Sequence, residues 1–145
     1  VLMGAKFDKA PEGVSARLER LGDAVLFAGF DDDRSTYAAR LGTCDVVVST
    51  AIHEFYGMAM LEALATGCAL IAPDRLAYPE VLPGDSPGVH LLADGQLANR
   101  LLSMSSEVQD SRDESARALR RTSTMNHDTA CAAHDLDMIC LTLAK

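Results

Sequence analysis

The sequence predicts an α/β fold in which a parallel sheet carries helices on both faces. Three observations predict it. Short apolar runs of strand length alternate with helical segments of 8 to 12 residues, the pattern of successive βαβ units with right-handed crossovers. The run CDVVVST at 44–50 is apolar and β-branched in its middle, as a strand buried on both faces should be. Glycines close the helices that precede the strands at 44 and 68.

The elements follow in order. VLMGA (1–5) is a strand, and a helix runs from Pro11, a favourable first-turn residue, to Leu21. AVLFAGF (24–30) is the second strand, and DDDRSTYAARLG (31–42) joins an acidic first turn to a helical body and a glycine stop. After the strand at 44–50, a helix spans Tyr56 to Thr66 and stops at Gly67 before the strand CALIAP (68–73). YPEVLPGD makes a short helical turn and a break, GVHLLA (88–93) is the fifth strand, and two or three helices fill 95–145.

Composition narrows the classes. With 145 residues, 48% hydrophobic and 23% charged, the chain is one globular domain with no sign of disorder. No apolar run approaches the roughly 20 residues that span a bilayer, and no signal peptide is present. The chain opens on Val1, and VLMG reads as a sheet entered midway, so a fragment of a longer protein is expected. A net charge of −8 argues against strong attraction to nucleic acid. Arg117, Arg120 and Arg121 are read as a solvated helix face. Cys44, Cys68, Cys131 and Cys140 have neither disulfide-framework nor C-x-x-C spacing, which suits buried thiols in a reducing cytoplasm. Cys131 and His134 form a C-x-x-H without a second pair, a poor zinc site, so no metal is expected.

Ligands of open α/β sheets bind beyond the carboxyl ends of the strands. The third strand ends in HEFYGMAMLEALATG (53–67), which places Glu54 just before a helix and Glu62 within it. The first N–H groups of that helix, at Gly57, Met58 and Ala59, lack intrahelical partners and carry the positive end of its dipole, so they suit a phosphate. Gly57 would allow close approach to the backbone. There is no Walker lysine and no G-x-G-x-x-G. Two carboxylates flanking an anion site match a sugar, two phosphates and a ribose, with Glu54 serving one side and Glu62 the other. A dipole partner at Glu54 and a surface role for Glu62 stand open beside that reading. Apolar neighbours at Glu62 imply that it has a partner, and His53 is read as a packed, hydrogen-bonded imidazole.

The segment EFYGMAMLEALATGCALIA resembles the E-x-F-G…E-A…G segment of retaining glycosyltransferases with the glycosyltransferase-B fold. CDVVVSTAIHEFYGMAMLEALATGCALIAPDRLAYPEVLP is most similar to the branch of tRNA-queuosine mannosyltransferases and their animal homologues, and MGAKFDKAP and VLFAGF resemble the strands before it. The resemblance implies a Rossmann-like domain, the C-terminal, donor-binding half of that fold. It implies that residues 1–145 bind a nucleotide sugar, that a preceding strand with a basic pair and an N-terminal acceptor domain lie outside this sequence, and that the fragment alone is inactive. By the same likeness, Glu54 accepts hydrogen bonds from the transferred sugar, and Phe55, Tyr56, Gly57 and Met58 present amides to the diphosphate. Glu62 holds the ribose, Phe30 borders the base, Gly4 and Lys6 lie near the phosphates, and Tyr78, Pro79 and Glu80 shape a far wall. The implied reaction moves mannose from GDP-mannose to queuosine in tRNA with retention and without a metal, in the cytoplasm. A UDP-sugar enzyme with a saccharide or lipid acceptor, or a non-catalytic α/β module, are the alternatives.

Overall fold

The computed structural model describes residues 1–3, 13–82 and 87–122, with backbone alone for 106–111. Expectations at Gly4, Lys6, Pro11, Cys131, His134 and Cys140 lie outside the described residues. The chain divides after Arg40 into two units.

The first unit holds strand β1 (Leu2–Met3), helix α1 (Val14–Leu21), a tight 3₁₀ turn at Gly22–Ala24, strand β2 (Ala28–Gly29) and most of helix α2 (Arg34–Gly42). β1 and β2 are parallel, with Leu2 opposite Ala28 and Met3 opposite Gly29. β2 is shorter than the predicted 24–30 because the Gly22 turn, closed by the Val25 N–H on the Gly22 carbonyl at 2.9 Å, takes up its start. α2 begins at Arg34 because Asp33 caps it: one carboxylate oxygen accepts the Thr36 N–H at 2.7 Å and the Ser35 and Thr36 hydroxyls. Arg40 lies over the Phe27 ring, 3.6 Å from its centroid, and pairs with Asp31 at 2.8 Å. No described residue of this unit is fully buried, and Leu2 is 52% exposed.

The second unit holds strands β3 (Val46–Val48), β4 (Ala69–Pro73) and β5 (Val89–Leu92) in the order β3-β4-β5, all parallel. Helices α3 (Met58–Ala65), α4 (Tyr78–Val81), α5 (Leu97–Ser111) and α6 (Glu114–Thr122) connect and follow them. β4 is the centre of the core. Ala69 and Ile71 pack with Met104 and Leu97 of α5, while Leu70 and Ala72 point to the opposite face and are equally buried. Both faces of β4 are therefore covered, as its unbroken apolar run ALIA requires. α3 buries Met60, Leu61, Ala63 and Leu64 and leaves Met58, Ala59 and Ala65 outside. The predicted α/β architecture of parallel strands flanked by helices is what forms.

The arginines of α6 correct one expectation. Arg117 and Arg120 are not a solvated face. Arg117 donates to the carbonyls of Gly42 and Thr66 at 3.0 and 3.1 Å, and Arg120 donates through Nε to the Gly67 carbonyl at 2.8 Å with 3% of its surface exposed. These acceptors are the orphan carbonyls at the ends of α2 and α3, which need donors from elsewhere in the fold. Arg121 alone lies outside, paired with Glu114 at 2.6 Å. Cys68 is a buried free thiol, pushed above its ordinary pKa by burial, and Cys44 is a half-buried free thiol. Among the described residues no helix is long and apolar enough to cross a membrane, and no group of three or more His, Cys, Asp or Glu side chains could hold a metal ion.

Candidate functional site

β3 ends at Val48, and residues 49–57 run along the carboxyl edge of the sheet before α3 begins at Met58. This loop folds around one side chain. Oε1 of Glu54 accepts the backbone N–H groups of Phe55, Tyr56 and Gly57 at 3.0, 3.1 and 2.9 Å. The Gly57 amide is the largest cause of a Glu54 pKa below the ordinary carboxylate value, followed by that of Tyr56. Three donors on one oxygen make a small nest, and the carboxylate itself fills it.

Tyr78 supports the nest from below. It is 1% exposed, its ring lies under Gly57, and its hydroxyl is 2.6 Å from the Ser49 hydroxyl and also reaches the Glu54 carboxylate. The Ser49 oxygen also accepts the Ala51 N–H at 3.2 Å, and the nearby Glu54 carboxylate favours a Tyr78 hydroxyl proton directed toward it. A single polarised chain thus links β3 to the turn. Gly57 is required here by two facts together: its φ is +82°, and a Cβ would stand 3.3 Å from the Tyr78 ring. Its role is to fit the tyrosine and to start α3, not only to admit a ligand. Burial pushes the Tyr78 hydroxyl above its ordinary pKa, so it remains a donor at neutral pH. Tyr78→Phe should keep the ring contact and cut the chain, lowering stability by about 1 kcal/mol in denaturant melts with an unchanged slope.

The turn projects its other side chains outward. Phe55 is 97% exposed, and Ile52, Tyr56 and Met58 are exposed as well. With three amides held by Glu54, the first-turn N–H groups of Met58 and Ala59 are those that α3 itself leaves without an acceptor. Glu62 stands one turn further along, half-buried on the outer stripe with Met58, Ala59 and Ala65, so it borders the same end of the helix. Of its apolar sequence neighbours, Leu61, Ala63 and Leu64 face inward while Met58 and Ala65 share its outer stripe, and Glu62 has an interaction partner. His53 is exposed, against the packed imidazole expected of it. Phe30 follows β2 in the first unit and is 49% exposed.

Sequence reasoning placed Ser49 at a strand end and Tyr78 in a far wall, and missed that the two hold Glu54. No local residue pattern points to Tyr78, because its approach to Gly57 is a tertiary contact. The structure thus joins Glu54, Phe55, Tyr56, Gly57, Met58 and Glu62 at one end of α3, with a polar relay behind them.

Comparisons with known proteins agree with one another. A profile described as glycosyl transferases group 1 matches residues 1–120. The chain is 41% identical to the tRNA-queuosine alpha-mannosyltransferase of Drosophila melanogaster over 85 residues, 59% of this chain and 22% of that protein. It is 39% identical to a GDP-mannose-dependent alpha-(1-6)-phosphatidylinositol dimannoside mannosyltransferase of Mycobacterium tuberculosis over 80 residues, 53% of this chain and 21% of that one. The chain therefore spans about a fifth of the length of the curated relatives it matches.

Proposed function

The chain belongs to the group 1 glycosyl transferases, and on that premise we propose that it is the nucleotide-sugar-binding domain of a retaining enzyme that moves mannose from GDP-mannose to queuosine in tRNA. The observation that carries this reading is the Glu54 turn, which sets a carboxylate, free helix amides and Glu62 together at the carboxyl edge of a parallel sheet. Both quoted relatives are named as mannosyltransferases, which favours mannose.

In this reading the diphosphate sits against the N–H groups of Met58 and Ala59. The Glu54 oxygen that does not hold the turn accepts from the sugar hydroxyls, and Glu62 accepts from the ribose. Phe55 and Tyr56 flank the donor, while the roles of Phe30 at the base and of Gly4 and Lys6 at the phosphates rest on the resemblance alone. The bond from the anomeric carbon to the diphosphate oxygen breaks, a bond to an acceptor hydroxyl oxygen forms, and the hydroxyl proton passes to the leaving diphosphate. Negative charge grows on the leaving diphosphate, so fixed N–H dipoles there lower the barrier more than they tighten the ground state. No metal is assigned a role.

We also propose that the domain is completed by a strand from outside this sequence. A doubly wound sheet commonly orders its strands 3-2-1-4-5-6. The strand expected upstream would supply the first member of that order. tRNA contact would belong mainly to the acceptor domain, since this chain carries a net charge of −8. Alone the domain binds donor weakly and does not turn over.

Calorimetric titration with GDP, GDP-mannose and UDP, on this chain and on a chain lengthened by the upstream strand, tests the proposal. GDP and GDP-mannose should bind and UDP should not, and Glu62→Ala should lose the binding. Equal binding of UDP would point to a different donor. No binding by the lengthened chain would leave a non-catalytic module. The mycobacterial relative's printed substrate favours a second reading, a lipid-linked acceptor, which an acceptor assay of the full-length enzyme separates from tRNA.

A further inference from the structure

A second space lies beside the Glu54 turn. Beyond the carboxyl ends of β3, β4 and β5 is a cleft of about 180 Å³. It is smaller than the roughly 300–1,000 Å³ that encloses a drug-sized ligand, so it suits a single ring. Neither Glu54 nor Glu62 lines it, but Ser49 does, and Ser49 is the first hydroxyl of the relay to Glu54. The cleft is thus contiguous with the donor turn and distinct from it.

Its walls have two chemistries. Ile71, Ala72, Pro73 and Leu92 make an apolar floor, and Thr50, Arg75 and Asp94 bring polar groups to the rim. The rim holds one cation and one anion. Arg75 Nη2 and Asp94 Oδ1 are 3.8 Å apart, too far for a hydrogen bond, with Arg75 about half exposed and Asp94 largely exposed. A pair of that kind contributes little and opens readily. Charge then decides among ligands. A phosphate would meet Arg75 at the cost of facing Asp94, and a cation would suffer the reverse. A neutral hydroxyl group can use both, donating to the carboxylate and accepting from the guanidinium, while the C–H face of its ring lies on the floor.

The loop that carries Arg75 is built to hold it there. Asp74 N–H donates to the Leu92 carbonyl at 2.9 Å and Arg75 N–H to the Pro73 carbonyl at 2.8 Å. Leu76 then takes a φ of +62°, among described residues the one non-glycine in the left-handed region. Such a conformation is disfavoured for leucine and persists only where the surroundings impose it, often beside a ligand. Two residues later Tyr78 enters α4 beneath Glu54, so one loop serves both the cleft and the turn.

We propose that this cleft binds a neutral, hydroxyl-rich ring at the acceptor side of the reaction, with Asp94 and Arg75 as its polar contacts. The proposal rests on the glycosyl-transfer reading, in which the donor sugar is tied by its diphosphate to the start of α3.

Saturation-transfer NMR on the 145-residue chain with methyl α-D-mannopyranoside, myo-inositol and inorganic phosphate tests it. One of the two rings should bind, and Arg75→Ala and Asp94→Ala should each weaken it by about tenfold or more, the size of one lost hydrogen bond to a charged group. Thermal melts of both variants should match wild type, because both side chains lie on the rim. GDP affinity should be unchanged in them, and ring binding should persist when GDP-mannose is present. Absence of transfer to either ring at high millimolar concentration overturns the proposal, as does ring binding indifferent to both substitutions. Phosphate binding tightened by Asp94→Ala would make the cleft an anion site, and displacement of the ring by GDP-mannose but not GDP would give it to the donor; each overturns the acceptor assignment. Ring binding that follows Arg75 and Asp94 while GDP fails to bind would uphold the cleft and sink the donor reading instead.

Discussion

Glu54→Ala is expected to reduce sugar transfer by the full-length enzyme about a hundredfold or more while its affinity for GDP holds or rises. The split follows from what the carboxylate does in the folded chain. One oxygen takes three amides at 2.9–3.1 Å, so it shapes the turn and also occupies the donors that a diphosphate would use. Truncation removes the acceptor for the sugar hydroxyls, frees three N–H groups and deletes a negative charge beside the phosphates. A residue that served only as a ground-state ligand of the sugar would lose affinity for GDP-mannose instead, and unchanged transfer would exclude the turn from catalysis. The truncation should also cost stability, by about 1.5–3 kcal/mol for hydrogen bonds to a charged group. Glu54→Gln keeps the oxygen without the charge and should cost less. The pH dependence has a definite sign. Backbone amides, Gly57 first, hold the folded-state pKa below the ordinary value of 4.5. The charge-dependent stability is therefore fully present above that ordinary value and is lost as pH falls through the lower folded value. The gap between wild type and Glu54→Gln in denaturant melts should be flat near neutrality and close in acid. A gap that widened in acid would contradict the geometry.

Much of this arrangement was legible in the residues because it is local. β4 and β5 formed within the predicted 68–73 and 88–93, since unbroken apolar runs between turn residues admit few alternatives in a chain of parallel units. α3 starts after Gly57 and carries Glu62 one turn in, which spacing alone dictates. What the residues did not disclose is tertiary. Nothing near residue 54 announces that its carboxylate folds back onto the next three amides, because that depends on Tyr78 closing the turn from beneath. The arginines of α6 follow a helical charge pattern that reads as solvated, yet Arg117 and Arg120 are drawn inward by carbonyls at the ends of α2 and α3. Likewise Leu76 looks like an ordinary loop residue until its backbone is seen, and the cleft lined by the adjacent Arg75 is assembled from the ends of three strands.

Arg120→Ala is expected to destabilise the chain by about 2–4 kcal/mol, the range for emptying a buried long side chain and leaving a carbonyl without its donor. The side chain is 3% exposed, and its Nε–H is 2.8 Å from the Gly67 carbonyl. Its Cδ packs so closely on Gly88 that a Cβ there would come within 3.0 Å. Burial lowers its pKa from the usual guanidinium value, so the charge is held at a cost and the stem and hydrogen bond must account for the gain. Arg120→Met separates those parts. It refills the space without the charge and should recover much of the loss, whereas Arg120→Lys, which lacks a planar Nε–H, should recover less. Arg121→Ala, which breaks an exposed pair with Glu114, should change the denaturation midpoint little. Equal losses at 120 and 121 would show that α6 is not anchored to the core. If the expected order holds, the consequence reaches the site. Arg117 and Arg120 fix the carboxyl end of α3 through Thr66 and Gly67, while Tyr78 fixes its amino end through Gly57. The helix that presents Met58, Ala59 and Glu62 is then clamped at both ends, and donor affinity should fall in Arg120→Ala even though that residue lies at the opposite end of α3 from the Glu54 turn.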